Sequence, residues 1–308
     1  MRKPIQFLRT NSFVLLLLAA FVLSELLISY WDPMVTSRRF YKNDYTKTLY
    51  HHGWQTSGPV FYGNSAVTGA YIEEKSASRL IEMGLSYGKL TDLRAILEQG
   101  RFHVTDQLVV GIDVHTMLDF METDPTYAWL KPVYQPYVYA YRDYFRDSGG
   151  EAFKQLYRGI VELDPQQLLA YEPRWIDKML YFGHMEPEKM KQKEVDYEKK
   201  YGWAKRHDYK DNLAALDWII RYCDSQQLPL RVVWMPWNPD FALPSYMPEL
   251  QAEVNARLKT ANVPVLDLLS TYEPTYFHDL VHLNRHDGAP RFTKEVDAWL
   301  ASLARSSR

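Results

Sequence analysis

The chain has a single cysteine and no excess of charge of either sign. Cys223 has no second cysteine to pair with, so an intramolecular disulfide is excluded. It stands in a helical-looking run, and we interpret it as a small core residue. The formal net charge of −2 provides no basic field that would attract nucleic acid. No cluster of Cys and His has zinc-site spacing, and the sequence predicts neither a metal nor a cofactor.

What the chain does have is an ordinary globular composition that is rich in aromatic residues. It is 46% hydrophobic and 24% charged, which excludes an intrinsically disordered chain. Aromatic residues make up 15% of it, with 23 tyrosines and 9 tryptophans. Such side chains fill cores, but they also line carbohydrate-binding surfaces and interfaces.

The N-terminal segment is typical of a membrane anchor. Three basic residues within the first nine precede an apolar run from residue 13 to residue 31. A membrane-spanning helix needs roughly 20 mostly apolar residues, and this run has about that length. Tyr30 and Trp31 fit the aromatic belt of a membrane interface. We therefore expect a single-pass transmembrane anchor in the cell membrane, with its N-terminus cytoplasmic and the bulk of the chain extracytoplasmic.

Two other interpretations of this segment stay open. A cleaved signal peptide would use Val22-Leu23-Ser24 as its cleavage site, although the apolar run continues beyond it. A buried core helix is disfavoured because the segment is terminal and has a basic flank. The first alternative also places the remainder of the chain outside the cytoplasm.

The rest of the chain alternates strand and helix patterns. We predict strands at 60–63, 83–87, 107–113, 228–236 and 264–268, and helices at 66–83, 90–99, 213–227, 248–260 and 290–303. Strands that alternate with helices of this length predict an α/β fold, with a parallel sheet covered on both faces.

The chain divides into three predicted segments. Residues 1–31 form the cytoplasmic tip and the anchor, and residues 32–56 form a juxtamembrane linker. Residues 57–308 form the extracytoplasmic domain. Within this domain, residues 116–207 interrupt the strand and helix rhythm with an aromatic-rich stretch and then a highly charged stretch. We expect this segment to be a largely helical insertion on the α/β core.

The first candidates for a catalytic motif are the residues Gly63-Asn64-Ser65. They follow the first predicted strand, where open α/β sheets place their ligands. If a helix begins there, the Ser65 backbone N–H points at the site and can stabilise an oxyanion. The alternative is that Ser65 is an ordinary helix N-cap, a common role for serine.

A second motif lies near the C-terminal end of the chain. Asp279 stands three residues before His282, which allows the carboxylate to orient the imidazole on one side of a turn. A serine needs such a base because its hydroxyl is a poor nucleophile at neutral pH. Ser65, His282 and Asp279 are therefore our candidate nucleophile, base and orienting carboxylate.

With these motifs the chain resembles the SGNH/GDSL hydrolase superfamily. The resemblance covers residues 58–115 and 208–305, and it implies a flavodoxin-like parallel sheet between layers of helices. It assigns Gly63-Asn64-Ser65 to the serine block and Asp279 with His282 to the block that supplies the base. It also makes Gly88 the match for the glycine of the oxyanion hole, beside the Ser65 amide.

One position departs from the pattern of that family. Asp113 stands where an asparagine should donate a hydrogen bond to the oxyanion. An ionised carboxylate would repel an oxyanion unless it were protonated or turned aside, which leaves the Ser65 and Gly88 amides as donors. His115 is either a substitute donor or a structural histidine.

The anchor adds a second resemblance, to outward-facing SGNH proteins of teichoic-acid D-alanylation and exopolysaccharide O-acetylation. It implies a cell-envelope polysaccharide or teichoic-acid-like polymer as substrate and a membrane-bound O-acyltransferase as partner. Asn64, Trp234, Trp237 and Asn238 are the candidate substrate-binding residues. For the two tryptophans core packing is an equal alternative.

The sequence thus predicts a membrane-anchored acyltransferase or esterase that acts on O-acyl groups of a cell-envelope glycopolymer. Two alternatives remain open. One is a secreted GDSL-type hydrolase of small esters. The other is a non-catalytic polysaccharide-binding or assembly factor, which the departure at Asp113 favours.

Overall fold

The computed structural model describes residues 11–31, 37–121, 123, 136, 139, 142–162 and 176–306. The chain forms two compact units. The smaller unit comprises residues 1–43 and 127–176, and the larger unit comprises residues 44–126 and 177–308. The predicted insertion is therefore divided, because its residues 127–176 belong to the smaller unit and its residues 177–207 to the larger one.

The larger unit is built on a five-stranded parallel sheet, which confirms the predicted α/β fold. Its strands are β1 (Ser57–Asn64), β2 (Ile81–Leu85), β3 (His103–Ile112), β4 (Leu230–Trp234) and β5 (Val265–Asp267). They lie in the order β2-β1-β3-β4-β5. The register pairs Tyr62 with Met83 on one side and with Val110 on the other.

Nine helices occur among the described residues. They are α1 (Ser12–Trp31), α2 (Asp44–His51), α3 (Ser65–Ala70), α4 (Leu90–Glu98), α5 (Arg142–Val161), α6 (Pro187–Tyr201), α7 (Lys210–Ser225), α8 (Met247–Thr260) and α9 (Gly288–Ser306). Short 3₁₀ turns lie at Phe40–Lys42, Glu73–Lys75, Arg206–Asp208 and Pro274–Tyr276.

Both faces of the sheet are covered. Phe61 and Val109 lie on one face, in a cluster with apolar residues of α3 and α9. Because successive side chains of a strand point to opposite faces, Val60 and Tyr62 lie on the other face, and they too are fully buried. Burial on both sides explains why these strands are continuous apolar runs rather than alternating ones. Cys223 is buried in α7, where burial raises the pKa of its thiol to about 12.

The strand order fixes where a site can form. The chain leaves β1 for β2 on one side of it, and it later inserts β3 on the other side. At such a switch point the loops that follow the two central strands separate and open a crevice. Ser65 follows β1 and Asp113 follows β3, so both lie at this edge of the sheet.

The prediction of one helix over 66–83 is wrong. The helix α3 ends at Ala70, and after a 3₁₀ turn the chain forms β2 from Ile81 to Leu85. Leu80 and Ile81 stand at helical spacing from Ala70, so the apolar pattern by itself predicts a continuous helix. Pairing of β2 with β1 overrides that local preference, because it buries the whole strand.

The described residues of the smaller unit include two long helices, α1 and α5. The helix α1 covers most of the segment that we expected to cross a membrane, and its apolar side chains, among them Leu16 and Leu26, are largely exposed. Within the described parts of the chain, however, no helix is both long enough and apolar enough to span a membrane. The expected transmembrane helix is therefore not found there. The aromatic stretch at 134–145 lies mostly outside the described residues.

Candidate active site

Ser65 is held at the start of a helix by its neighbour Asn64. The Asn64 side chain caps α3, because its Oδ1 accepts a hydrogen bond from the Ala66 backbone N–H at 2.8 Å. Ser65 is thus the first residue of the helix and not its N-cap, which leaves its hydroxyl available. Asn64 is 3% exposed, so the structure corrects its predicted role in binding substrate to a structural one.

Glycine makes this strand-to-helix turn tight. A Cβ on Gly63 would lie 2.3 Å from Val67 Cγ2 and 3.1 Å from the Gly111 carbonyl oxygen. A Cβ on Gly111 would lie 2.5 Å from the same methyl group. Two glycines on adjacent strands therefore allow Val67 to sit directly on the sheet, and this brings α3 and Ser65 close to the ends of the strands.

The structure brings the three predicted catalytic side chains together. The His282 Nε2 lies 2.9 Å from the Ser65 Oγ, and the His282 Nδ1 lies 2.8 Å from the Asp279 Oδ2. The Asp279 Oδ1 also accepts the backbone N–H groups of Val281 and His282, at 3.0 and 2.9 Å. The carboxylate therefore shapes the turn that carries the histidine as well as orienting its ring.

The protonation states of the pair suit a general base. Burial alone would raise the pKa of Asp279, but the charge and hydrogen bond of His282 and the ammonium group of Lys193 hold it well below its usual range. Burial lowers the pKa of His282, and Lys193 lowers it further, against the opposing effect of Asp279. At neutral pH the carboxylate is ionised and the imidazole is neutral, as a base facing a serine requires.

Tyr181 is a site residue that sequence reasoning did not find. Its ring stacks on the His282 ring, with 3.8 Å between centroids and 13° between planes. The tyrosine ring also lies against Gly69 of α3, where a Cβ would come within 2.9 Å of it. Burial and the charge of Asp279 raise the pKa of the phenol, while the nearby Ser65 side chain opposes this effect. The net pKa is raised, so the hydroxyl keeps its proton and can donate it.

Lys193 is a second residue of the site that the sequence did not reveal. It stands on α6, its side chain is partly exposed, and it forms an ion pair with the buried Asp279 Oδ2. Tyr197 and Tyr201 follow at intervals of four residues, so all three side chains share one face of α6. Both tyrosine rings contact the His115 ring, at 4.6 and 4.5 Å between centroids. One face of a helix from the predicted insertion therefore lies on the site.

Asp113 is turned away from the nucleophile. Its Oδ1 accepts the Asn64 Nδ2 at 2.7 Å, the backbone N–H groups of His115 and Thr116 at 2.8 Å each, and the Thr116 hydroxyl at 2.8 Å. Burial would raise the pKa of Asp113, but His115 and the Asn64 amide hold it well below its usual range. The carboxylate is thus ionised and fully engaged, and through Asn64 it anchors the start of α3. It cannot serve as an oxyanion donor.

His115 is also enclosed. Its Nδ1 lies 2.9 Å from the Tyr197 hydroxyl, and its ring packs against the rings of Tyr197 and Tyr201, which also contact each other. Its Nε2 is fully buried and has no hydrogen-bond partner among the described residues. A buried nitrogen that solvent does not reach cannot meet a substrate without a movement of α6. His115 is therefore a structural histidine in this arrangement.

The geometry does not favour Gly88 as an oxyanion donor. Its backbone N–H already donates to the Leu85 carbonyl oxygen at 2.8 Å, which closes a tight turn. A Cβ at this position would lie 2.9 Å from Leu85 Cβ and 3.0 Å from the Gly63 carbonyl oxygen. This close packing explains why position 88 is a glycine. Its amide is already engaged, which argues against the oxyanion role predicted for it.

The residues at the end of β4 that we predicted to bind substrate are buried in the interior. Trp234 is fully buried and donates its indole N–H to Asn255 at 2.9 Å. Trp237 is 4% exposed and donates to the Phe241 carbonyl oxygen at 2.7 Å. Asn238 is buried as well, and its amide donates to the Asp279 carbonyl oxygen at 3.3 Å. Both tryptophans therefore belong to the core, and Asn238 supports the turn that carries Asp279.

An exposed aromatic residue does lie beside the site. Tyr87 is 49% exposed, and its φ of 57° is in the left-handed region that residues other than glycine rarely adopt. The Lys200 ammonium group of α6 lies 5.1 Å from the centre of its ring. Such a strained, exposed ring at the carboxyl edge of the sheet is a candidate platform for a sugar.

No group of three or more His, Cys, Asp or Glu residues in the described ranges is arranged to hold a metal ion. Neither a scan against known protein families nor a search of curated proteins finds a match for this chain.

Proposed function

We propose that this protein is a serine-dependent O-acyltransferase or esterase of the SGNH type, acting on O-acyl groups of a cell-envelope glycopolymer. The observation that carries the proposal is the continuous hydrogen-bonded chain from Ser65 through His282 to Asp279, with distances of 2.9 and 2.8 Å. Its position at the carboxyl edge of a parallel sheet supports the same conclusion.

The proposed reaction has two halves. In the first half the Ser65 Oγ attacks the acyl carbonyl carbon while the His282 Nε2 accepts the hydroxyl proton. The tetrahedral intermediate then expels the alcohol of the ester, which takes that proton from His282. In the second half a sugar hydroxyl or water attacks acyl-Ser65 and gives its proton to His282. The second tetrahedral intermediate then breaks its bond to the Ser65 Oγ, which takes that proton back from His282. Asp279 stabilises the imidazolium ion that forms in each half.

The oxyanion is stabilised by the Ser65 backbone N–H and the Tyr181 hydroxyl. Tyr181 replaces the Gly88 amide in this role, because that amide is engaged with Leu85. The position of the Tyr181 ring, stacked on the His282 ring at 3.8 Å between centroids, supports the assignment, since the oxyanion forms close to that histidine. A single well-placed donor contributes roughly 100- to 1000-fold to the rate of such reactions.

A polymeric acceptor is supported by the surface around the triad. Tyr87 is exposed beside the site, and Trp203 is 53% exposed just after α6. Rings of this kind stack on the apolar faces of sugars. We propose that they take the place of Trp234 and Trp237, which are buried.

The proposed place of action is the outer side of the cell membrane, with a membrane-bound O-acyltransferase as the partner that supplies the acyl group. This part of the proposal rests on the sequence of residues 1–31 and on the exposed apolar side chains of α1. It is separable from the chemistry, because the triad lies wholly within the larger unit.

Covalent labelling tests the proposed nucleophile. The full chain in detergent is treated with a fluorophosphonate, and the adduct is located by intact mass and peptide mapping. We expect one adduct, on Ser65, that is absent from Ser65→Ala and His282→Ala because the former lacks the nucleophile and the latter lacks the base. The matched control is Ser225→Ala, an exposed serine near the end of α7, which should label like the wild type. A folded wild-type protein that takes up no label would contradict the proposal.

A further inference from the structure

The helix α5 of the smaller unit presents an apolar stripe to its surroundings. Phe153, Leu156, Tyr157, Ile160 and Val161 are each between 50% and 69% exposed. Their spacing of i, i+3, i+4, i+7 and i+8 places them on one face of the helix. We call these five residues the α5 stripe.

The amphipathicity of α5 is reversed. Its buried residues are Tyr144, Ser148 and Gly159, which are mostly polar or small. With about 3.6 residues per turn, these three share a face, and the α5 stripe lies on the opposite face of the helix. A helix that turns polar and small residues inward and large apolar ones outward has an apolar medium or partner on its outer face.

A basic concavity of about 540 Å³ lies near the N-terminal half of the same helix. Five basic and three acidic side chains line it, which leaves an excess of positive charge. Ion pairs use some of them, such as Arg39 with Asp143 at 2.9 Å. Arg38, Lys42 and Arg146 have no acidic partner among the residues that the structure describes. These three cations are available to phosphate groups of a ligand.

One of the three cations, Arg146, lies on the same face of α5 as the stripe. Arg146 stands seven residues before Phe153 and fourteen before Ile160, on the same side of α5. At about 1.5 Å per residue, the guanidinium group begins roughly 10 Å before the stripe and roughly 20 Å before its far end. Basic residues at one end of an apolar face match a bilayer interface, where headgroup phosphates border the acyl chains.

We propose that the α5 stripe docks on the surface of an anionic lipid bilayer, with Arg38, Lys42 and Arg146 on the headgroup phosphates. The excess of positive charge selects a lipid surface over the apolar face of a second protein, since such a face has no need of free cations. The same unit carries α1 with its exposed leucines, so both of its long helices offer apolar surface. The inference does not depend on the proposed chemistry of Ser65.

An environment-sensitive label tests this directly in the full chain. Leu156→Cys is labelled with the fluorophore NBD, and Ala152→Cys, an exposed position off the stripe, is the matched control. Cys223 is buried, so the introduced thiol is the accessible one. The labelled protein is mixed with vesicles of phosphatidylglycerol and phosphatidylcholine, with and without bromine atoms on the acyl chains.

We expect a blue shift and quenching by brominated lipid at Leu156→Cys and neither at Ala152→Cys. Because α1 can tether the chain to vesicles by itself, the label must report α5 entering the bilayer and not mere attachment. An unshifted label at Leu156→Cys on vesicle-bound protein, or an equal shift at both positions, would overturn the proposal.

The cations are tested by vesicle partitioning of the full chain. Each of Lys42→Gln and Arg146→Gln should lower the partition coefficient on anionic vesicles by roughly five-fold. The same variants should partition like the wild type on pure phosphatidylcholine. Arg158→Gln, which removes a cation from another face of α5, is the matched control and should have the smaller effect. Equal losses from all three variants would contradict the assigned orientation of the helix.

Discussion

The two units of the chain treat the same kind of side chain in opposite ways. In the larger unit Phe61 is fully buried between the sheet and two helices, whereas in the smaller unit Phe153 is 69% exposed. Both are phenylalanines in regular secondary structure, so residue type does not decide their burial. The larger unit encloses its own apolar surface and can hold a precise site. The smaller unit leaves apolar surface uncovered, which suits attachment and not catalysis.

Charges follow the same division. In the larger unit the carboxylates of Asp113 and Asp279 are buried, and each accepts hydrogen bonds from both backbone and side-chain donors. In the smaller unit Arg39 and Asp143, the first of these on the turn before α2 and the second on α5, form an ion pair in which both side chains are about half exposed. A buried pair influences its neighbours through a low dielectric, whereas an exposed pair is screened by solvent.

Removing an aromatic ring should give the largest contrast between the units. Phe61→Ala leaves a cavity beneath α3 and should lower the free energy of unfolding by about 3–5 kcal/mol. Phe153→Ala removes an exposed ring and should change it by less than about 0.5 kcal/mol. Urea titrations in one detergent, followed by near-ultraviolet circular dichroism, measure both variants. A loss of several kcal/mol in Phe153→Ala would show that the ring is covered within the chain, and the comparison would fail.

Adding a methyl group should give opposite signs in the two units. Gly63→Ala places a Cβ 2.3 Å from Val67 Cγ2, and such overpacking should lower the free energy of unfolding by about 1–3 kcal/mol. Gly149→Ala meets no atom within 4 Å on α5, and it should raise the free energy of unfolding by about 1 kcal/mol through helix propensity. Only Gly63→Ala should also slow fluorophosphonate labelling, because it displaces the start of α3.

The same urea titrations and a labelling time course measure this second pair. Gly150→Ala, at the adjacent position on α5 with equally open surroundings, is the control and should behave like Gly149→Ala. If Gly63→Ala were neutral in both measurements, Val67 would have room to move, and the tight turn would not position Ser65.

These contrasts also show which features a sequence can reveal. The strand β3 and the helix α7 were predicted within a few residues, because each is a long apolar pattern of a single period. The positions of Ser65, Asp279 and His282 follow from two short motifs, each of which is built by local hydrogen bonds. The strand predicted at 83–87 overlaps β2, but the end of the preceding helix and the start of this strand were misplaced, because pairing with β1 decides them.

Tyr181 and Lys193 were beyond local reasoning for a different reason. Each is one residue among many of its type, and neither stands in a motif. They contact the triad only because residues 177–207 pack against it within the larger unit. The spacing of residues in the sequence does not encode that packing. The α5 stripe is visible in the sequence, because its residues have helical spacing. That the stripe faces outward is known only from the structure, in which Ser148 and Gly159 are the buried residues.

The smallest expected effect comes from the charge of Lys193, and it is measured as a change in the pH dependence of the labelling rate. Lys193 lowers the pKa of His282 because its positive charge disfavours the imidazolium ion. In Lys193→Met the pKa of His282 should therefore rise, and the acidic limb of the labelling rate should move to higher pH, since only the neutral imidazole acts as the base. Above this limb the rate should return to that of the wild type if Lys193 has no other role in the chemistry.

Two exposed lysines serve as controls for that shift in the pH profile. Lys154→Met removes the partner of Glu151 on α5, and Lys189→Met removes the partner of Glu186 one turn before Lys193 on α6. Both lysine side chains are more than 60% exposed, so solvent screens their charges, and both variants should keep the wild-type pH profile. A shift in all three variants would mean that net charge alone controls His282. A shift confined to Lys193→Met would show that α6 acts on the triad through one ion pair, and that a helix absent from the local sequence motifs tunes the base.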